Sequence, residues 1–202
     1  MDKNIEVELR GPLSQTEFEK LNNFFKDQAE VSGEKERILI DYSTFLTGGI
    51  ENRNKDIRLR VTNGKPEIII KLGNWGGSDI RKELSVFTMG EFDILVQMFA
   101  ELGYIKGMLC VRKSKIYKYK EIEFALVEVP GHSYYYEAEK MTNSFNSVSV
   151  LKEIEKVCLD LELDIFNQQQ FFDYIKKLNK ESNEVFDYSS YTPGYFKKRF
   201  NI

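Results

Sequence analysis

The chain has 202 residues, a length that suits one domain with room for a small terminal appendage. Hydrophobic residues make up 42% of the chain and include 15 Phe and 11 Tyr, enough for a packed core, so the composition excludes a disordered chain. The net charge of −3 argues against a nucleic-acid partner, because proteins that bind by bulk charge are usually strongly basic.

The first half of the chain predicts five strands and one helix. A strand near 4–10 precedes a helix near 15–28, and the capping pair Ser14 and Glu17 marks where that helix begins. The other four strands are expected near 37–44, 56–62, 66–72 and 80–87. Trp75 lies in the glycine-rich connection before the last of them. We expect it to anchor that loop, with stacking on a substrate ring as the alternative.

The second half begins with another capping pair, Thr88 with Glu91, which predicts a helix that ends at Gly103. Strands are then expected near 108–119, 121–129 and 134–141. Apolar residues at helical spacing predict a helix from about 147, and a further helix should begin after Asn167. Eight strands with few helices between them indicate an α+β fold with antiparallel pairing, in a barrel or a strongly curved sheet.

The cysteines and the first residues bear on where the protein works. Cys110 and Cys158 show no metal-ligand spacing, so we expect reduced thiols in a cytoplasmic protein. No signal peptide is recognisable, since Met1 to Asn4 lead directly into a charged strand. No apolar run approaches the roughly 20 residues that a membrane helix needs. We therefore expect a cytoplasmic protein with no membrane partner.

Charged and apolar residues alternate along most of the predicted strands. Because side chains two residues apart share a face of a strand, Glu6, Glu8 and Arg10 lie on one face and the intervening apolar residues on the other. The same spacing groups further charges on single faces: Arg58 with Arg60, Arg81 with Glu83, Lys113 with Lys115, Glu121 with Glu123, and Glu137 with Glu139. Lys71 ends an apolar run.

Two interpretations of these faces are open. They are either the solvated side of an antiparallel sheet or, if the sheet closes, the wall of a charged lumen. The faces carry almost only Glu, Arg and Lys, and the acidic strands lie at both ends of the series with basic strands between them, which favours the lumen. Burying so many charges without partners would be prohibitive. A polyanion with a divalent metal would supply partners for both signs of charge.

The charged strands resemble the CYTH domains, a family of the triphosphate tunnel metalloenzyme superfamily that includes class IV adenylate cyclases, thiamine triphosphatases and tripolyphosphatases. The segment Glu6-Val7-Glu8-Leu9-Arg10 stands where the family has Glu-x-Glu-x-Lys. The later motifs follow in the family's order over about 4–141: Arg58-Leu59-Arg60, Ile70-Lys71, Arg81-Lys82-Glu83, Lys113-Ser114-Lys115, and a closing stretch from Val129 to Glu139.

The resemblance implies an eight-stranded antiparallel tunnel with helices outside, over 1–180, followed by a tail, 181–202, that either docks or remains loose. It implies triphosphate binding by Arg58, Arg60, Lys71, Arg81, Lys113 and Lys115. It also implies that Mg²⁺ or Mn²⁺ is held by Glu6, Glu8, Glu137 and Glu139. Glu6, Glu8 and Arg10 would form the catalytic group, with Glu83 in support.

The sequence departs from the family pattern in two places. Arg10 replaces the hallmark lysine, and a planar guanidinium does not do everything that a compact ammonium does. Val127 stands where the family often has a metal-binding aspartate, and Glu123, on the same face, could compensate. In addition, a one-residue change of register would place Arg112 in the lumen instead of Lys113.

The function that these implications favour is metal-dependent hydrolysis of tripolyphosphate, thiamine triphosphate or a nucleoside triphosphate. One alternative is a class IV adenylate cyclase that forms cyclic AMP and pyrophosphate from ATP. A second is a binding protein without turnover, and the last is an unrelated sheet with solvated faces. The expected partner is a small triphosphate compound, and the sequence leaves a homodimer open.

Overall fold

The computed structural model describes residues 5–46 and 49–202, so the strand start predicted at residue 4 lies outside the described residues. Nine strands in these ranges form one antiparallel sheet. They are β1 (Ile5–Leu13), β2 (Glu30–Asp41), β3 (Lys55–Thr62), β4 (Lys65–Leu72), β5 (Ser78–Phe87), β6 (Lys106–Tyr119), β7 (Ile122–Val129), β8 (Ser133–Thr142) and β9 (Glu184–Asp187).

The first eight strands close into a barrel. Their order around it is β2-β3-β4-β5-β1-β8-β7-β6, and β6 pairs with β2 from Glu30↔Lys118 to Asp41↔Met108. This confirms the predicted α+β fold with a closed eight-stranded antiparallel barrel. Because neighbouring residues of a strand point to opposite faces, closure puts one face of each strand inside the lumen and the other against the helices.

Five α-helices lie among the described residues: α1 (Gln15–Gln28), α2 (Phe92–Glu101), α3 (Ser147–Asp160), α4 (Gln168–Glu181) and α5 (Tyr195–Phe200). Two short 3₁₀-helices cover Tyr42–Phe45 and Tyr188–Ser190. The capping box predicted for α1 is present, since Ser14 and Glu17 each accept the other's backbone N–H. The second predicted box is wrong. The cap of α2 is Glu91, without a side-chain bond. Thr88 instead extends the pairing of β5 with β4, since its N–H donates to the Pro66 carbonyl.

Helices cover the barrel through two apolar clusters on its outer face. One joins α1 and α3 to β1, β7 and β8, with Phe25, Phe124 and Ile154 at its centre, all fully buried. The other joins α2 and α5 to β2 and β3 around Leu59 and Val96. These packed surfaces provide a rigid support for the side chains that point into the lumen.

The segment after residue 181 docks on the barrel. Strand β9 pairs with β6 from Lys106↔Asp187 to Leu109↔Glu184, and Phe196 of α5 is 0% exposed within the α2 cluster. Of the two arrangements left open for the tail, the structure therefore shows the docked one. The boundary predicted at residue 180 stays a prediction.

Across the described ranges, no helix has both the length and the apolar character needed to span a membrane.

Candidate functional site

The lumen contains a cavity of about 300 Å³, and half of the described residues that line it are charged. The described residues that line it include seven cations: Arg10, Lys35, Arg37, Arg58, Arg60, Lys71 and Arg112. They also include six carboxylates: Glu8, Asp41, Glu83, Glu123, Glu137 and Glu139. The lumen of the barrel is therefore the candidate site.

Most of the cations and most of the carboxylates lie on opposite sides of the lumen. The adjacent strands β6, β2 and β3 carry Arg112, Lys35, Arg37, Arg58 and Arg60, which we call the cationic wall. The adjacent strands β1, β8 and β7 carry Glu8, Glu137, Glu139 and Glu123, which we call the acidic wall. In the order of the barrel β1 is four strands from β2 in either direction, so the two walls face each other.

Three carboxylates of the acidic side come together. Glu6, Glu8 and Glu139 each offer an oxygen, and these oxygens lie within 4.8 Å of one another. Burial, followed by the charges of Glu6 and Glu8, raises the pKa of Glu139 to about 8. Burial also raises the pKa of Glu8, although Arg10 opposes the shift. The group therefore concentrates more negative charge than its protein partners compensate.

This carboxylate group fits a divalent cation. One oxygen of Glu6, Oε2, is buried without a hydrogen-bond partner in the described part of the chain. Its other oxygen, Oε1, lies 2.6 Å from the Lys71 ammonium, which also contacts Glu83 at 3.1 Å. Carboxylate oxygens are the hard ligands that Mg²⁺ and Mn²⁺ prefer. The residues present thus match a metal of the predicted kind, with Glu83 supporting the adjacent lysine.

The two other predicted metal ligands lie apart from this group. Glu123 is at the edge of the cavity, where its side chain is 38% exposed and bonds to Lys35 at 2.7 Å. Glu137 approaches Arg10 at 3.6 Å. Val127 lines the lumen and is 1% exposed, so this position provides no ligand.

Arg10 connects the acidic wall to the loop before β5. Its guanidinium pairs with Glu8, bonds to Asp79 at 2.8 Å and donates to the Gly76 carbonyl at 3.0 Å. A lysine could not hold these partners with one planar fork. Arg10 therefore links β1 to β5 and to the loop before it at this end of the lumen.

A dense ion-pair network lies beneath the same end. Arg81 is 1% exposed and contacts Asp79 at 2.9 Å and Asp56 at 3.1 Å, and it is not among the residues that line the cavity. Asp56 also pairs with Arg58 and, at 3.3 Å, with Arg53. Arg81 was predicted to bind phosphate, but the structure engages it with carboxylates.

Aromatic residues close this end of the lumen. Trp75 is 7% exposed, packs edge-on against Phe171 of α4 at 4.9 Å, and lies under the Arg53 guanidinium at 4.1 Å. Phe166 stacks on Tyr174 of α4 at 5.3 Å. Trp75 is therefore a buried anchor of its loop, and the rings around it are already paired with one another.

The prediction that Lys113 and Lys115 line the lumen is wrong. Lys113 is on the outer face, where its side chain is 55% exposed and contacts Glu36 of β2 at 3.4 Å, and Lys115 shares that face. The lumen receives the alternate residues of β6, Arg112 and Ser114. The cause is the register of β6, in which a shift by one residue exchanges the two faces.

Sequence reasoning missed several luminal residues. Lys35 precedes the start predicted for β2 at residue 37, and Arg37 lies at that start. Their two-residue spacing continues to Asp41, and all three residues line the cavity. That alternation was the available signal. Asp56 and Asp79 also alternate with the arginines two residues later, and the same rule would have placed them inside.

Comparisons with known proteins agree with this architecture. No family model matches the chain, and no curated relative does. It is similar to the structure of PH1819 from Pyrococcus horikoshii OT3, with a TM-score of 0.65 and 17% identity over 85% of this chain and 98% of that one. It is also similar to a Vibrio parahaemolyticus protein whose name proposes adenylate cyclase activity, with a TM-score of 0.64 and 15% identity over 86% and 98% of the two chains.

A third similar structure comes from Hippeastrum, and its name proposes adenylyl cyclase activity and describes a dominant triphosphatase activity. The TM-score is 0.50, with 13% identity over 81% of this chain and 90% of that one. Likeness at such identities concerns the fold alone. The chain has the same closed eight-stranded antiparallel barrel fold as these structures, and this is the fold that its resemblance to the CYTH domains predicted.

Proposed function

We propose that this chain is a metal-dependent phosphohydrolase that acts on a triphosphate compound held in the lumen of the barrel. The observation that carries the proposal is the opposition of the cationic and acidic walls across one cavity. A phosphate chain bound to the first wall and a divalent cation bound to the second would each neutralise charge that the protein leaves exposed to the cavity.

The cationic wall would hold and orient the phosphate chain. Arg58 and Arg60 on β3 and Arg112 on β6 present planar guanidinium groups, which match the oxygens of a phosphoryl group in pairs. Lys71 lies beside the carboxylate group and would contact phosphate and metal ligands together. Phosphoryl transfer needs mainly such positioning and charge neutralisation.

Glu6, Glu8 and Glu139 would hold Mg²⁺ or Mn²⁺. When bound, such an ion neutralises phosphate oxygens and polarises the group under attack. The aromatic residues Trp75, Phe166 and Phe171 close one end and limit the entry of water from that side.

The first test is phosphate release from tripolyphosphate, thiamine triphosphate and ATP with Mg²⁺ or Mn²⁺. Glu139→Gln removes one carboxylate of the group at nearly constant volume, and we expect roughly a 100-fold loss of kcat/KM. Glu121→Gln is the matched control, since this carboxylate is outside the lumen with a 75% exposed side chain, and it should retain activity. Equal activity in Glu139→Gln and the wild type would contradict the proposal.

The product decides between the two reactions in the names of the similar proteins. Orthophosphate from a triphosphate supports hydrolysis, the activity named for the Hippeastrum protein. Cyclic AMP and pyrophosphate from ATP would instead assign the cyclase reaction named for the Vibrio protein.

A binding protein without turnover is a second candidate, and the ion pair between Arg10 and Glu8 favours it because that pair engages one of the three grouped carboxylates. This candidate predicts metal-dependent binding of tripolyphosphate without product. Appearance of activity in Arg10→Lys, which restores the family's lysine, would show that the pair suppresses turnover.

A further inference from the structure

The cations that line the lumen differ in whether the protein already supplies their counter-ion. Arg10, Arg58, Arg60, Lys71 and Lys35 each pair with at least one carboxylate. Arg37 and Arg112 pair with none in the described ranges. Because a guanidinium held inside a lumen without a counter-ion is costly, these two residues mark where the lumen is incomplete without an anion.

The two uncompensated arginines face each other directly. Arg37 on β2 is the register partner of Arg112 on β6, and both side chains line the cavity. Like charges in directly opposed positions destabilise a sheet. Arg60 is close to the same place, since burial and then the charge of Arg37 lower its pKa. Of these three guanidinium groups on neighbouring strands, Arg60 alone has a carboxylate partner among the described residues, Glu67 at 2.7 Å.

The remaining hydrogen-bond capacity of the pair points to a ligand. The Nε of Arg37 is buried and has no partner among the described atoms. Arg112 is 8% exposed and donates to the neutral oxygens of Asn183, at 3.0 Å, and Val111, at 2.7 Å. Neutral acceptors orient this guanidinium but do not balance its charge.

We propose that Arg37 and Arg112 form a phosphoryl-binding pair that holds one phosphate group of the substrate without the help of the metal. A tetrahedral group with several charged oxygens can accept bonds from two guanidinium forks at once. The inference deepens the proposed function and rests on it for the identity of the anion. It also separates the roles of the arginines: Arg37 and Arg112 would bind phosphate, whereas Arg10 and Arg81 form ion pairs with the carboxylate of Asp79.

The test is calorimetric titration of the full chain with tripolyphosphate in EDTA, so that no divalent metal contributes. We expect Arg37→Gln and Arg112→Gln each to weaken binding roughly tenfold or more, since each removes a charge-assisted contact. Lys113→Gln is the matched control, because it removes one positive charge from the next residue of β6 on the outer face, and its affinity should stay within about twofold of the wild type.

A second readout separates ligand binding from a structural role. If the two arginines repel each other in the free protein, Arg37→Gln should leave the melting temperature without ligand unchanged or raised. A structural residue would lower it instead. The melting temperature of Arg37→Gln should then rise less with added tripolyphosphate than that of the wild type.

Several results would overturn the pairing. One is wild-type affinity in Arg37→Gln and Arg112→Gln, another is an equal loss in Lys113→Gln, and a third is the absence of any binding by the wild type in EDTA. These results are distinct from failure of the proposed function. A wild type that binds through Arg37 but releases no product with Mg²⁺ or Mn²⁺ would keep the pair and reject the hydrolase.

Discussion

The substitution Asp56→Asn tests the ion-pair network beneath the closed end of the lumen. Asp56 is 1% exposed and accepts from three arginines: Arg81 at 3.1 Å, Arg53 at 3.3 Å and Arg58. An asparagine keeps the shape but removes the charge, which leaves buried guanidinium groups uncompensated. Removing one partner of a buried ion pair costs about 3–5 kcal/mol. For a chain of this size, we expect the melting temperature to fall by roughly 10 °C.

The pH dependence of the folding stability provides a second test of this prediction. Burial alone would raise the pKa of Asp56, but Arg58, Arg53 and Arg81 outweigh it and hold the pKa below its usual value. A depressed carboxylate pKa stabilises the fold fully above the unfolded value of about 3.9. That stabilisation is lost as the pH falls from there toward the lower folded value. The difference between wild type and Asp56→Asn should therefore be constant near neutrality and shrink below about pH 4.

Urea unfolding at several pH values, followed by circular dichroism, measures both effects. Asp160→Asn is the matched control, because that side chain is 50% exposed and only loosely paired with Lys120 at 3.9 Å. A loss below about 1 kcal/mol in Asp56→Asn, or a loss equal to that of the control, would refute the reasoning that the network depends on this charge.

Three further substitutions probe packing away from the lumen. Gly11→Ala should prevent folding or cost several kcal/mol in stability, because the added Cβ would lie 1.8 Å from the Asp164 carbonyl oxygen. Gly90→Ala is the control in thermal melts and should be near neutral, because open space surrounds Gly90. Phe196→Ala should cost about 3–5 kcal/mol, since the ring is 0% exposed; a neutral result would mean that α5 adds nothing to the core. Tyr117→Phe removes the hydroxyl that donates to Asn22 at 2.8 Å and should cost about 1 kcal/mol in urea unfolding, and a gain in stability would contradict that contact.

The alternation of charged and apolar residues predicted the inner faces of most strands. It succeeded on β1 because the face opposite Glu6 and Glu8 is fully apolar and packs on helices, so only one orientation buries the apolar side. Closure of the sheet did not follow from alternation, because a charged face fits the solvated side of an open sheet equally well. The segregation of acidic and basic strands favoured a lumen, and the eight-stranded tunnel was implied by the resemblance to the CYTH domains.

The same rule failed on β6 because both of its faces carry cations. Lys113 is placed outside by its pairing with Glu36 on β2, a strand far away in sequence. Arg112 takes the inner face, where it meets Arg37. Alternation fixes which residues share a face but not which face turns inward, and here only the pairing of the strands decides.

Two other features depended on contacts that sequence order hides. Strand β2 begins at Glu30, seven residues before the predicted start. The prediction missed these residues because a bulge between Val31 and Gly33 interrupts the alternation of the strand. The capture of Arg10 by Asp79 and the Gly76 carbonyl requires β1 and β5 to be neighbours in the closed barrel. The local sequence around Arg10 and around Asp79 does not indicate that these two strands pair.

The most direct measurement of the central claim is a crystal structure with Mn²⁺ and tripolyphosphate, in which anomalous scattering locates the metal. The account predicts a Mn²⁺ peak among the oxygens of Glu6, Glu8 and Glu139, with phosphate density against Arg37 and Arg112. A metal peak outside the lumen, or tripolyphosphate bound only to the outer surface near Lys113, would contradict it.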